Sequence, residues 1–150
     1  PFFFPRLIEY YTKNEQYDAA LSLCDKALQV NDSSNLFKFT KSSVLLSLKR
    51  YKECIDLCDS VIAKDSIILG AYLNAGLSYF NQAVEADKAL KQTDKQKKEI
   101  IQLYKKALPY LEKYRKMVPD EKSLWGLPLY TIYLNLNMGK EFDEIDKLLK

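Results

Sequence analysis

The chain has 150 residues, 47% apolar and 29% charged, with 4 Gly, 5 Pro and a formal net charge of +3. It is too apolar to be disordered, and too poor in Gly and Pro for an all-β protein full of turns. It has no His, which removes Ser-His and Cys-His nucleophile pairs, imidazole acid–base chemistry and most zinc and haem sites. It begins with Pro1 rather than Met, so a fragment or a processed product is expected.

In chain order, Leu7, Ile8 and Tyr11 form the apolar face of a first helix. A polar break over 13–16 follows. Tyr17, Ala20, Leu21, Cys24, Ala27 and Leu28 then form a second face, whose small residues allow close helix approach. Asn31, Asp32, Ser33 and Ser34 close the pair and offer an N-cap to the next helix. The plan returns 34 residues later without a gap. Tyr11 meets Leu45 and then Tyr79, Tyr17 meets Tyr51, Ala20 meets Cys54, Cys24 meets Cys58 and Ala27 meets Val61. Asp65 with Ser66, and Pro119 with Asp120, repeat the punctuation. The three cysteines are too few and too irregularly spaced for a disulfide framework or a zinc site. They read as small hydrophobes and thiols.

Ser66 to Val84 is the longest uncharged stretch, 19 residues, which is the length of a membrane span. Asn74, Ser78, Asn81 and Gln82 fall on one helical stripe, which favours a largely buried amphipathic helix instead. The next unit is stretched. Between Tyr79 and Ala107 lie 19 more residues than between Tyr11 and Ala20, with no Gly or Pro between Phe80 and Leu108. Thr93 and Gln96 form a capping-box pattern. Two helices are expected, over 68–91 and 94–117, with Ala83, Ala86 and Leu90 on one face and Ile100, Tyr104, Ala107, Leu111 and Tyr114 on the other. The pair is expected to overhang its neighbours by about 15 Å, and Pro109 to kink its second helix. Residues 83–118 carry 10 basic and 5 acidic residues, so this hairpin is net +5 and the rest of the chain net −2. In the last unit Trp125, Leu129, Ile132, Tyr133 and Leu136 mark a helix whose start Pro128 delays or kinks. Gly139 is expected to break the chain before a capping helix with Phe142, Ile145, Leu148 and Leu149 inward.

Tyr72-x2-Ala75-Gly76-x2-Tyr79, followed by Ala107-x3-Leu111 and Pro119, resembles the tetratricopeptide repeat (TPR). So do Tyr17-x2-Ala20-x3-Cys24-x2-Ala27 and its copy from Tyr51 to Val61, and Trp125 opens a further unit. Phe4, Lys38, Lys41, Asp32 and Ser66 depart from the pattern. The resemblance implies an all-α, right-handed α-solenoid of antiparallel helix pairs: a single TPR-like domain over 1–150. Its repeats would span 1–34, 35–68, 69–121 with the 19-residue insertion at the hairpin tip, and a capping unit 122–150. The long hairpin with KKALPYLEK also looks like a subgroup of bacterial repeat proteins, many of them exported.

The resemblance further implies a non-catalytic scaffold that binds a protein or peptide on a concave face lined by first helices. On the 34-residue register those positions are Glu9 and Thr12, then Phe39, Ser43 and Leu46, then Leu73, Leu77 and Phe80, then Tyr130 and Tyr133. None of these is basic, which disfavours a clamp for an acidic peptide terminus. The competing expectation is that these side chains pack against neighbouring helices. Two other readings remain: nucleic-acid or acidic-partner binding through the basic hairpin 83–118, with nucleic acid disfavoured, and a helical accessory domain of a larger enzyme. No Walker loop, dinucleotide fingerprint, H-E-x-x-H or G-x-S-x-G occurs, so no catalytic, cofactor-binding or metal residues, no cofactor and no transmembrane segment are assigned.

Overall fold

The structure, a computed structural model, describes residues 3–65 and 67–150; Ser66, expected to help close the second repeat, lies outside them. The described residues form eight helices: α1 (Phe3–Lys13), α2 (Tyr17–Val30), α3 (Asn35–Ser47), α4 (Tyr51–Lys64), α5 (Gly70–Asp87), α6 (Asp94–Met117), α7 (Lys122–Asn135) and α8 (Gly139–Leu149). Two compact units share them, 1–74 and 75–150, with the division inside α5.

In the first unit α1 packs on α2, α2 on α3 and α3 on α4. Ile8, Ala20, Cys24 and Val44 form one buried cluster, with Phe4, Tyr11, Tyr17 and Leu21 packed against it. Cys54, Ile55, Cys58 and Val61 are the buried face of α4. All three cysteines are buried thiols. Burial raises the Cys24 pKa to about 11, and the hydrogen bond with Cys54, followed by burial, pushes up that of Cys58. The reactive thiolate is therefore disfavoured at neutral pH.

The helix hairpins share one backbone device. The amides of Gln16 and Arg50 reach back to the carbonyls of Tyr11 and Leu45, at 2.8 and 2.9 Å. The amides of Glu15 and Lys49 bond to those of Thr12 and Leu46. These are Schellman turns, and each puts a non-glycine residue in the left-handed region: Glu15 at φ 56° and Lys49 at φ 59°. Between repeats, Asn31 and Asp65 close α2 and α4 with nearly equal angles and bond to Ala27 and Val61. Ser34 then caps α3, its hydroxyl accepting from the Phe37 amide at 3.2 Å.

In the second unit α6 packs on α7 and α7 on α8. Ile100, Tyr104, Ala107, Leu111 and Tyr114 are the buried face of α6, as the pattern predicts. The Thr93–Gln96 capping box is formed in both directions. The Trp125 indole is buried and donates to the Val118 carbonyl at 3.1 Å, while Arg115 lies 5.0 Å over its ring.

Three expectations need correction. α5 ends at Asp87 rather than near 91. The Gln92 amide reaches back to the Asp87 and Ala89 carbonyls and closes the helix end, leaving Ala86 and Leu90 exposed. Asn135, at the end of α7, lines a cleft together with Gln92, Lys97 and Ile100. α6 is 24 residues long and α7 14, so at about 1.5 Å per residue the hairpin tip extends about 15 Å past that end, the overhang expected over this neighbour. Pro128 does not delay α7, which already starts at Lys122. It is buried within the helix. The last reversal falls at Asn137 (φ 55°), where the Met138 amide bonds to the Tyr133 carbonyl, and Gly139 already belongs to α8.

Left-handed backbone costs a side-chain-bearing residue about 1–2 kcal/mol, while glycine loses about 0.5–1 kcal/mol in unfolded-state entropy. Glu15 is exposed at such a position. Glu15→Gly should be neutral to stabilising by up to about 1 kcal/mol. Glu15→Val should destabilise. Chemical-denaturation midpoints of the two variants check this ordering.

Candidate functional site

In the first unit Phe39, Ser43 and Leu46 project from α3 and Leu73 from α5, all half-buried. Phe39 fills the space over Gly70, where a Cβ would lie 2.6 Å from its ring. The Asn74 amide donates to the hydroxyls of Ser42 and Ser43 at 3.0 and 2.9 Å. The Ser42 hydroxyl donates onward to the Phe39 carbonyl at 2.6 Å. Asn74 and Ser78, read from the sequence as part of a polar stripe, are thus buried. Their stripe faces inward, and the Asn74 amide is satisfied there by α3. Phe39 and Ser43 therefore have packing roles in the first unit. Glu9 is exposed and pairs with Lys13 at 2.8 Å, and the Thr12 hydroxyl donates to the Ile8 carbonyl.

In the second unit Leu77 and Phe80 are half-buried on α5, and Phe80 stacks obliquely on Tyr104 with centroids 6.2 Å apart. Tyr130 packs on Phe142 of α8 at 4.7 Å. Tyr133 is only 2% exposed and donates its hydroxyl to Glu112 at 2.9 Å. Its ring is core and offers a partner nothing but its hydroxyl edge.

Which α7 residues face outward follows from a register slip. The closing residues Asn31, Asp65 and Val118 keep the repeat, 34 and then 53 residues apart, the latter being one repeat plus the 19 extra residues. The hairpin reversal at Asn137, however, lies one residue beyond the position that this spacing gives from Lys49. One added residue rotates a helix position by about 100°. Leu127, Thr131 and Leu134 therefore take on α7 the positions that Leu73, Leu77 and Phe80 hold on α5. Leu127 is 68% and Leu134 54% exposed, and Leu124 extends the stripe at 40%. These residues were missed because the repeat was carried over without the slip. The available signal was that α7 is apolar on all sides, which a helix with one solvent face normally is not.

The opposite chemistry lies on α6. At 100° per residue, Lys95, Lys98, Lys105, Lys106, Lys113 and Lys116 fall within one arc of about 100°, opposite the buried face and with no carboxylate among them. Among the described residues no group of three or more metal-ligating side chains comes together, and no helix is long and apolar enough to cross a membrane.

Antiparallel helix pairs on a 34-residue register define a TPR-like helical-repeat fold. Solved structures share it. A MamA RS-1 double mutant superposes with a TM-score of 0.72 at 18% identity, covering 96% of this chain and 70% of that one. A thermophilic TPR protein of Thermus thermophilus, TTC0263, does so with a TM-score of 0.72 at 20% identity over 95% and 67%. MamA from residue 41 to the end, from Desulfovibrio magneticus RS-1, gives 0.66 at 19% over 97% and 73%. At these identities the likeness is one of fold. No protein-family model and no curated protein matches the chain.

Burial, and then the hydrogen bond to Glu112, raise the Tyr133 pKa; burial also raises those of Tyr104 and Tyr114. The native state thus favours the protonated phenol relative to the unfolded chain, where a tyrosine titrates near pH 10. This contribution to stability is complete below about pH 10 and is lost as pH rises further. Tyr133→Phe should flatten the alkaline loss of stability. Denaturant midpoints measured on either side of that pH check the slope.

Proposed function

We propose that this chain is a non-catalytic module that binds an apolar segment of a protein or peptide partner on the outward faces of its first helices. The TPR-like fold supports the general reading, since such repeats build extended recognition surfaces. The observation that carries it is the leucine stripe of α7. Leu124, Leu127 and Leu134 spend a continuous apolar face on solvent in a helix that is apolar all round. In the second unit Leu77 and Phe80 on α5 join this reading. In the first unit Phe39, Ser43, Leu46 and Leu73 are the corresponding set, half-exposed beside their packing roles. Tyr130 stands at the edge, and Tyr133 is left out as an anchor because it is buried. The repeat limits 1–34, 35–68, 69–121 and 122–150 form part of this proposal, with the last unit as the cap.

Burial of one large apolar side chain is worth roughly 1.5–3 kcal/mol, and a few central anchors carry most of an interface. A peptide selected from a random library on the native chain provides the probe. Leu127→Lys, at an exposed site that leaves the core intact, should weaken that peptide by about tenfold or more. Binding should change little with salt, because the face carries no charge. Titration calorimetry of the selected peptide checks both. Indifference to Leu127→Lys and to Phe80→Ala, together with steep salt dependence, would contradict this reading.

A further inference from the structure

The loop between α5 and α6 spends its hydrogen bonds on holding one apolar side chain in water. A single exposed leucine is ordinary on a protein surface. Leu90 differs in its setting. It is fully exposed (103%) in a short loop that is fixed from both sides. The Gln92 side-chain amide donates back to the Asp87 carbonyl at 3.1 Å and the Ala89 carbonyl at 3.2 Å. The reciprocal bonds of Thr93 and Gln96, at 3.2 and 2.8 Å, fix the start of α6. Ala86 and Ala89 beside it are exposed as well.

The charges nearest Leu90 in the chain are basic. Lys88 and Lys91 flank it, and Lys95, Lys97 and Lys98 follow in the first turns of α6, all exposed. From Lys88 to Lys98 these five lysines meet one carboxylate, that of Asp94, and Glu85, Asp87 and Glu99 bracket the run. The Asp87 carboxylate just before them accepts from Gln92 at 3.2 Å.

We propose that this loop is a contact for an anionic lipid surface, with Leu90 dipping into the interface and the surrounding lysines meeting lipid headgroup charges. Three observations separate this occupant from others. The loop has no aromatic or arginine side chain for base stacking or bidentate phosphate recognition, and nucleic acid has no use for an exposed leucine. A specific protein interface takes about 20–30 residues a side, which a loop of this length cannot supply. A bilayer needs no complementary pocket, and an apolar residue combined with several lysines is the pairing that holds peripheral segments to anionic membranes. This inference is independent of the peptide-binding face on α7.

Co-sedimentation of the whole chain with unilamellar vesicles tests it, comparing phosphatidylcholine alone with phosphatidylcholine containing phosphatidylserine. Binding should require phosphatidylserine. Leu90→Ser should lower the partition coefficient by about tenfold or more. Replacing Lys91 and Lys95 together by Glu should lower it by at least about tenfold, since each lysine near such a surface is worth about fivefold. Val30→Ser, at another exposed apolar residue far along the chain, should change nothing. Leu90 makes no core contact, so circular dichroism of the variants should match the native spectrum. The proposal is overturned by absence of binding, by equal binding to pure phosphatidylcholine, or by binding that ignores Leu90→Ser. It is equally overturned by a chain that ignores the vesicles and binds a duplex DNA oligonucleotide.

Discussion

Everything in this structure depends on helix backbones approaching closely at small residues. A Cβ on Gly70 would lie 2.6 Å from the Phe39 ring, and one on Gly76 would lie 2.7 Å from Leu111 Cγ and 3.1 Å from Tyr110 Cβ. Ala20, Ala71, Ala75, Ala83 and Ala107 are wholly buried. Side chains of this size let adjacent helices mesh at the short end of the usual 8–10 Å axial spacing. The larger residues opposite, Leu45, Leu111 and Trp125, then fill the gaps to interior density. The Schellman turns at Glu15, Lys49 and Asn137 follow from the same constraint, because two helices can mesh in a fixed register only if the link between them has a fixed length.

The repeat leaves different helices free for different chemistry. α6 buries Tyr104 and Leu111 on one side and collects six lysines on the other, with Tyr79 stacked beneath Lys106 at 5.9 Å. α7 buries Trp125, Leu129 and Ile132 and still turns leucines outward. The exposed leucines and the lysine stripe thus sit on separate helices of the second unit. Their responses to salt should differ: screening weakens the lysine face and leaves the leucine face nearly unchanged.

Much of this was legible in the sequence. The periodic faces of α2, α4 and α6 place Cys24, Cys58 and Leu111 in the core, and the Thr93–Gln96 pattern fixes the start of α6 to the residue. These are local signals, and nothing tertiary competes with them. The end of α5 was not legible. Leu90 continues an apolar spacing, and only the Gln92 side chain, bonding back to Asp87 and Ala89, ends the helix before it. Gly139 looked like the breaker, yet a hydrogen-bonded turn accepts asparagine at the left-handed position, so the reversal came at Asn137. The outward face of α7 was misread by one position. A single extra residue between Val118 and Asn137, taken up in α7, which is one residue longer than α3, moves Tyr133 into the core and Leu134 out of it.

The most direct measurement compares the stability of Gly76→Ala with that of Gly139→Ala. Both put alanine into a helix, where it is favoured over glycine by about 1 kcal/mol. Gly139 has nothing within 4 Å of an added Cβ, whereas at Gly76 the methyl meets Leu111, which is wholly buried and has no room to swing away. Overpacking of this kind costs about 1–3 kcal/mol. Gly139→Ala should therefore hold or raise the denaturation midpoint, and Gly76→Ala should lower it despite its better helix propensity. A Gly76→Ala chain at least as stable as Gly139→Ala would contradict the claim that close approach at small residues sets this fold.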